Sequence, residues 1–200
     1  MTIENPAFSP LIILLAVGLY GLVHSLLASL QVKALAAALF GDFAEKYYRL
    51  FYNVFAFITL VPIMALPYTL PNKTWYTIPQ PWTYLTLSIQ LLVVGLAGIA
   101  ALQTDVFKFI GLKQVFVGGS KDVLKTRGIY KHLRHPLYSF GIVFLWLSPS
   151  MSQNMAALYF AFTLYFIFGA MVEERKLVRV FGKAYQDYRA KTPMFIPFIK

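Results

Sequence analysis

The chain has 200 residues, of which 58% are hydrophobic and 13% are charged. Soluble domains carry about 25% charged residues, so the composition argues against a soluble globular protein. The chain has no cysteine, which excludes disulfide bonds and cysteine-based metal sites. The formal net charge of +10 suggests nucleic-acid binding at first sight. However, the basic residues lie in particular segments between apolar runs, and orientation in a membrane explains that distribution better.

Apolar segments predict an all-α, polytopic integral membrane protein with five transmembrane helices. The predicted spans are residues 11–30, 50–66, 82–102, 136–148 and 155–172. The first span has 20 residues. At a rise of 1.5 Å per residue it covers about 30 Å, which matches the hydrocarbon core of a bilayer. This span differs from a cleaved signal peptide because it is too long and Glu4 is the only charge before it.

The segments between the spans differ in character. Residues 67–81 hold four prolines and several aromatic residues, so this stretch is predicted to be partly non-helical and to lie at the membrane interface. Residues 103–135 carry seven basic residues and read as a loop. Pro136 suits the first turn of the fourth helix, and a short uncharged connection predicts a hairpin of the fourth and fifth helices. No strands are predicted. The predicted domains are residues 1–103, a three-helix membrane region, and 104–200, a cofactor-binding region.

The Lys and Arg residues outside the spans predict the orientation. Along the chain, the six segments outside the spans carry zero, three, one, seven, zero and seven of them, which together make the chain's 18. Because cytoplasmic segments carry the excess, the N-terminus is predicted to lie outside and the C-terminus in the cytosol. We therefore predict that an active site in the C-terminal half of the chain lies at the cytosolic face.

Two polar clusters are predicted to meet at that face. One is RGIYKHLRHPLY at residues 127–138, which enters the fourth span, and the other is Glu173-Glu174, which leaves the fifth. A helix N-terminus suits a carboxylate, two glutamates suit an ammonium or sulfonium, and the rings of Tyr130, His135 and Tyr138 suit a cation or a heterocycle. S-adenosylmethionine has all of these groups. Alternatively, the charged residues only orient and solvate the spans.

Other chemistries have less support in the sequence. His132 and His135 lack a third and fourth ligand, so no metal site is predicted. Serine residues lack a His/Asp context for nucleophilic catalysis. No nucleic-acid partner is predicted.

The two clusters, with FGKAYQDY at residues 181–188 and PMFIP at 193–197, resemble the isoprenylcysteine carboxyl methyltransferase superfamily. That superfamily includes phospholipid and small-thiol methyltransferases, and the resemblance covers residues 105–197. It implies an S-adenosylmethionine site made by the loop before the fourth span, the start of that span and the two glutamates. By motif position, the implied cofactor contacts are Gln114, Asp122, Val123, Leu124, Lys125, Tyr130, His135, Pro136, Leu137, Tyr138, Glu173 and Glu174.

Three further segments indicate a branch of that superfamily. Residues 105–114, 24–33 and 48–53 resemble the methanethiol S-methyltransferase branch and the related NnrU-like proteins. The prenylcysteine enzymes carry an arginine one turn before the cofactor glutamate, where this chain has Gly169. The resemblance therefore implies a small or apolar thiol, or another lipid-like substrate, as acceptor. It also implies a location in the bacterial inner membrane. The predicted substrate residues are His24, Arg49 and Asn53, although hydrogen bonding to a neighbouring helix or interface anchoring explains them equally well.

The predicted catalytic residues are Arg134 and His135. A thiol must ionise before it reacts; Arg134 would lower its pKa and His135 would accept its proton. Four alternatives remain open: a prenylcysteine carboxyl methyltransferase, a phospholipid N-methyltransferase, an NADPH-dependent sterol-type reductase, and a non-enzymatic NnrU-like membrane factor.

Overall fold

The computed structural model describes residues 6–118, 123–197 and 199. Over these residues the chain folds mainly into α-helices, with two short strands and one 3-10 turn. In chain order the elements are α1 (Ser9–Ala28), α2 (Leu30–Thr69), β1 (Thr74–Thr77), α3 (Trp82–Leu102), α4 (Val106–Ile110), α5 (Leu112–Phe116), the 3-10 turn (Gly128–Lys131), α6 (Pro136–Trp146), β2 (Ser150–Ser152), α7 (Gln153–Phe181) and α8 (Lys183–Lys191).

Helices α1, α2, α3 and α7 are long and apolar enough to cross a membrane, with mean hydropathy between 1.9 and 2.3. Their large apolar side chains point outward; Leu15, Leu19 and Leu22 on α1, for example, are 65%, 64% and 68% exposed. Soluble proteins rarely expose continuous apolar surface of this kind. The prediction of a helical integral membrane protein is therefore confirmed. Helix α6, the predicted fourth span, has only 11 residues.

The helix that contains the predicted second span begins before that span. Helix α2 starts at Leu30 rather than at residue 50, so the predicted polar connection is itself helical. The Ser29 hydroxyl accepts a hydrogen bond from the Val32 N–H at 3.3 Å and caps this helix. Gly41, with non-helical φ of 52° and ψ of −137°, divides α2 by a kink into two helical parts. At its other end α2 continues through Pro62 and Pro67 to Thr69.

The prediction that the chain has no strands was wrong. Strand β1 pairs antiparallel with β2, with Thr74 opposite Ser152 and Thr77 opposite Ser150. The Ile78 N–H extends the pairing by donating to the Pro149 carbonyl at 2.8 Å. The physical reason is that the proline-rich segment cannot be helical, so its backbone groups need partners from another segment. The connection between α6 and α7 supplies them.

The fold contains two compact units. The first comprises residues 1–73, 105–122 and 153–158, and the second comprises residues 74–104, 123–152 and 159–200. In the first, α1 packs on α2 around the buried side chains of Ile13 and Val17. In the second, α3 packs on α6, and Ala100, Ala170 and Tyr185 are buried. Each unit consists of several separate stretches of the chain. The predicted boundary between two domains, after residue 103, therefore stays a prediction.

The predicted loop of residues 103–135 contains the short helices α4 and α5. Asp105 caps α4 by accepting from the Lys108 N–H at 3.0 Å, and it pairs with Lys113 at 2.5 Å. The hydrogen bond from Lys113 is the main reason why the pKa of Asp105 lies below its usual value. Gly111 joins the two helices with φ of 94°. A Cβ atom there would lie 2.5 Å from the backbone nitrogen of Leu50. Only a glycine at this position therefore allows the start of α5 to lie so close to α2.

We expect Gly111→Ala to destabilise the protein more than Gly41→Ala does. Both glycines have positive φ, a backbone conformation that L-residues rarely adopt. Only Gly111 adds a clash with α2, because nothing lies within 4 Å of a Cβ at Gly41. Thermal unfolding of the two variants in detergent measures the difference. Equal losses would mean that α5 does not sit against α2 as described.

Candidate functional site

The candidate site lies in the second unit, where four segments meet. Helix α6 starts with Pro136 in its first turn, so Arg134 and His135 immediately precede the helix. Helix α7 carries Glu173 and Glu174. Helix α8 and the residues that follow it add Tyr185, Tyr188 and the segment 192–195.

A buried ion pair joins these segments. The Arg134 Nε lies 2.5 Å from the Glu174 Oε1, and the two side chains are only 9% and 7% exposed. Arg134 Nη1 also donates to the carbonyls of Arg189 at 3.1 Å and Thr192 at 2.5 Å. Glu174 in turn accepts from the Tyr185 hydroxyl at 3.1 Å and pairs with the Arg189 Nε at 3.3 Å. A buried pair is tolerated only when its remaining hydrogen-bonding capacity is satisfied, and this pair meets that condition.

The C-terminal segment closes over the start of α6. The backbone N–H groups of Arg134 and His135 donate to the carbonyls of Pro193 and Met194 at 3.0 and 3.2 Å. The Ser139 hydroxyl donates to the Phe195 carbonyl at 2.8 Å. The sequence suggested that the N–H groups here were available to a ligand carboxylate. The structure corrects this for the two that precede the helix, because the C-terminal segment already occupies them.

Four rings form an aromatic ladder, which we define as Phe195, His135, Tyr138 and Phe166. Consecutive ring centroids are 6.1, 5.6 and 5.5 Å apart. The Tyr138 hydroxyl donates to the Glu173 Oε2 at 3.2 Å, and the His135 Nδ1 lies 3.7 Å from the same oxygen. The Glu173 side chain is 47% exposed. Glu173 therefore holds a carboxylate beside the ladder that is still open to a ligand.

Burial controls the ionisation of the neighbouring groups. It lowers the pKa of His135, and the opposing effect of Glu173 and Glu174 does not outweigh it. His135 is therefore neutral at neutral pH and can accept a proton. Burial, reinforced by the charge of Glu173, raises the pKa of Tyr130 to about 12. Burial likewise raises the pKa of Tyr188 to about 12. Both phenols stay neutral, and the Tyr188 hydroxyl donates to the Tyr130 carbonyl at 2.5 Å.

The second unit brings most of the predicted site residues together. Around the ladder and the ion pair it places Tyr130, Arg134, His135, Pro136, Leu137, Tyr138, Glu173 and Glu174. Val123, Leu124 and Lys125 belong to the same unit and have no regular secondary structure. Asp122 lies outside the described residues. The sequence did not predict Phe166, and it marked Phe195 only as part of the PMFIP motif, without a place in the site. Phe166 lies two helical turns before Glu173, and this spacing is a weak signal for a shared face.

The remaining predicted residues belong to the first unit, where all but His24 hold α4 and α5 against α2. Arg49 donates to the Lys108 carbonyl at 2.9 Å, and Asn53 donates to the Phe109 carbonyl at 3.1 Å. In the amide orientation that satisfies both neighbours, Gln114 donates to the Gly111 carbonyl at 3.3 Å and accepts from Arg49 at 3.2 Å. His24 forms a hydrogen bond with the Tyr52 hydroxyl. Each of these side chains has a structural partner within the unit, so their roles as ligand contacts stay predictions.

We expect Glu174→Gln to lower the free energy of unfolding by about 3–5 kcal/mol, because Arg134 would be left buried without a counter-charge. The matched control is Glu173→Gln in the next position, whose half-exposed carboxylate leaves stability within about 0.5 kcal/mol. Thermal unfolding in detergent measures both variants. Similar unfolding temperatures for the two would show that the ion pair does not hold this unit together.

Comparisons with known proteins identify the family of the chain. Residues 85–184 match the family model described as phospholipid methyltransferase. A methanethiol S-methyltransferase of Crocosphaera subtropica is 28% identical over 91% of this chain and 72% of its own length. Methanethiol S-methyltransferase 1 of Bradyrhizobium diazoefficiens is 29% identical over 98% of this chain and 70% of its own length. A protein-S-isoprenylcysteine O-methyltransferase of Schizosaccharomyces pombe is 38% identical over 40% of this chain and 36% of its own length. No solved structure matches the chain significantly. The match across half of the chain, together with the apolar helices, establishes that it belongs to the phospholipid methyltransferase family and is a membrane methyltransferase.

Proposed function

We propose that the chain transfers a methyl group from S-adenosylmethionine to a small neutral thiol of the methanethiol type. The half-exposed carboxylate of Glu173 beside the aromatic ladder carries this proposal. The activity for which the relatives in Crocosphaera and Bradyrhizobium are named supports the choice of acceptor.

The residues around Glu173 fit the groups of S-adenosylmethionine. Its carboxylate suits the positive sulfonium or ammonium, and the faces of Tyr138 and His135 suit a cation or a purine. The backbone N–H groups of Leu137 and Tyr138 lie in the first turn of α6, where a helix favours a carboxylate. The phosphates of a nicotinamide cofactor, by contrast, would meet a carboxylate at Glu173 and an arginine already engaged with Glu174. This arrangement favours the methyl donor over the reductase alternative.

The contacts divide the predicted catalytic residues into two roles. Arg134 is a positioning residue, since its guanidinium binds Glu174 and two backbone carbonyls. His135 is neutral and is the candidate proton acceptor for the thiol. When bound, S-adenosylmethionine supplies a methyl group on a positively charged sulfur. With the donor held beside Glu173 and Tyr138, His135 would accept the proton of the thiol, and the rings of His135 and Tyr138 would orient the donor toward the thiol sulfur.

The surroundings of Gly169 favour a neutral acceptor. Gly169 lies one helical turn before Glu173, and a Cβ atom there would contact only the Tyr138 hydroxyl, at 3.9 Å. The chain therefore has no side chain at this position with which to bind an acceptor carboxylate. A thiol needs no such partner.

We expect Glu173→Gln to bind labelled S-adenosylmethionine at least about tenfold more weakly than the natural protein, since hydrogen bonds to charged groups contribute about 1.5–3 kcal/mol. Methyl transfer to methanethiol should fall in parallel. Equilibrium binding in detergent and product detection by mass spectrometry give the two values. Glu45→Gln is the matched control, because it removes an exposed carboxylate of α2 and should change neither.

The same assay shows which of the candidate compounds is the methyl acceptor. Farnesylcysteine and phosphatidylethanolamine replace methanethiol in parallel reactions, and a preference for either one would overturn the thiol assignment. Undiminished donor binding by Glu173→Gln would contradict the cofactor site itself.

We further propose a topology of five spans, with α6 and α7 as an antiparallel hairpin, the N-terminus outside and the active site at the cytosolic face of a bacterial inner membrane. The contacts of α6 support the hairpin: Trp146 donates to the Thr163 hydroxyl at 3.0 Å, while Tyr138 at the other end reaches Glu173. The distribution of the 18 Lys and Arg residues supports the orientation.

Single-cysteine variants test this topology, since the natural chain has no cysteine and any labelling reports the introduced one. A membrane-impermeant maleimide should label Lys73→Cys in intact cells. Lys46→Cys and Arg175→Cys should react only after the membrane is permeabilised. Labelling of Arg175→Cys from outside would reverse the orientation and place the candidate site on the other face. All three positions are exposed.

A further inference from the structure

The first unit contains a cavity of about 300 Å³ between α1 and α2. Its lining includes Ala16, Tyr20 and His24 from α1 and Ala56, Thr59 and Ile63 from α2. Binding sites for small molecules start at about this volume and are mostly apolar with a few polar groups. Leu19, at the rim, is 64% exposed, so the cavity opens on the apolar outer surface of these two candidate membrane spans.

One end of the cavity is polar and aromatic, and the other is aliphatic. At the polar end His24 is hydrogen-bonded to the Tyr52 hydroxyl, and the Tyr20 ring stacks on His24 with centroids 5.6 Å apart. Phe55 adds a third ring to the lining. At the other end Ala16 and Ile63 supply only apolar atoms. The Thr59 hydroxyl donates to the Phe55 carbonyl at 2.8 Å, so it is engaged within α2.

This lining restricts the class of ligand. The lining residues include no lysine, arginine, aspartate or glutamate, so an ion, a phosphate or a carboxylate would lose its hydration without a counter-charge. At about 30 Å³ for each water-sized group, the cavity holds about ten non-hydrogen atoms. Sulfur makes favourable contacts with aromatic rings, and three rings surround the polar end. A short neutral alkyl sulfur compound matches the size, the charge and the rings.

We infer that this cavity binds a neutral alkyl thiol, with the sulfur against Tyr20 and His24 and the alkyl chain toward Ile63. The choice of a thiol rests on the proposed function, whereas the size and charge limits rest on the cavity. A thiol dissolves in the bilayer and reaches the cavity past Leu19. His24 thereby acquires a ligand-binding role that accords with its prediction as a substrate residue.

The test uses a photoreactive six-carbon thiol with a diazirine on its chain, added to the purified full chain in lipid nanodiscs without S-adenosylmethionine. Mass spectrometry should locate the label in peptides covering residues 16–24 and 55–63. Unmodified 1-hexanethiol should compete, and hexylammonium should not. Ala56→Phe should reduce labelling at least fivefold by filling the cavity. Ala38→Phe is the matched control, because the same change on the exposed face of α2 should have no effect.

Two further variants keep the test decisive. Ala16→Phe fills the cavity from α1 and replaces Ala56→Phe if that variant unfolds. His24→Leu should reduce labelling by the thiol probe at least threefold, while labelling by a matched alkane probe stays unchanged. Equal labelling by the two probes in the natural protein, or labelling that survives both phenylalanine variants, would overturn the proposal and indicate a gap filled by lipid chains. Because no methyl donor is present, failure of this experiment is distinguishable from failure of the proposed methyl transfer.

Discussion

The buried pair of Arg134 and Glu174 is the interaction on which the candidate site depends. Arg134 comes from the residues before α6 and Glu174 from α7, and their remaining hydrogen bonds reach α8 and the C-terminal segment. Removing two charges from water costs several kcal/mol per ion, and good geometry with further hydrogen bonds offsets that cost. The pair therefore makes the four segments interdependent. None of them can move without leaving a buried charge unsatisfied.

This constraint explains how two adjacent glutamates come to have different surroundings. Consecutive residues of an α-helix point about 100° apart. Because Glu174 points into the buried network, Glu173 must point elsewhere, and it lies beside Tyr138 with half of its side chain exposed. The sequence predicted both glutamates as equivalent cofactor contacts, since their positions alone do not show which one faces inward. Only the position of Arg134 distinguishes them.

Features that depend on local sequence were predicted well. The third span was predicted at residues 82–102 and is observed as Trp82–Leu102, and Pro136 opens α6 as expected. Apart from the early start of α2, the errors concern features that depend on distant partners. The five-residue helices α4 and α5 are too short to be stable alone; they rely on Arg49, Asn53 and the close fit of Gly111. Strand β1 likewise needs β2, which is more than 70 residues away in the chain.

The same distinction applies to the candidate site. The RHPLY and Glu-Glu motifs predicted His135, Tyr138 and Glu173, because each motif is a continuous stretch of sequence. Phe166 carries no motif and joins the ladder only through packing, and the PMFIP motif that contains Phe195 does not show that this ring packs on His135. Methyl transfer between a positive and a negative sulfur disperses charge, so the proposed reaction needs alignment and a dry site more than a protein nucleophile. The rings of the ladder are rigid, and the two phenylalanines are apolar, so the ladder favours alignment and a drier site. The ladder is therefore as important to the proposed chemistry as the charged residues that reveal it in the sequence.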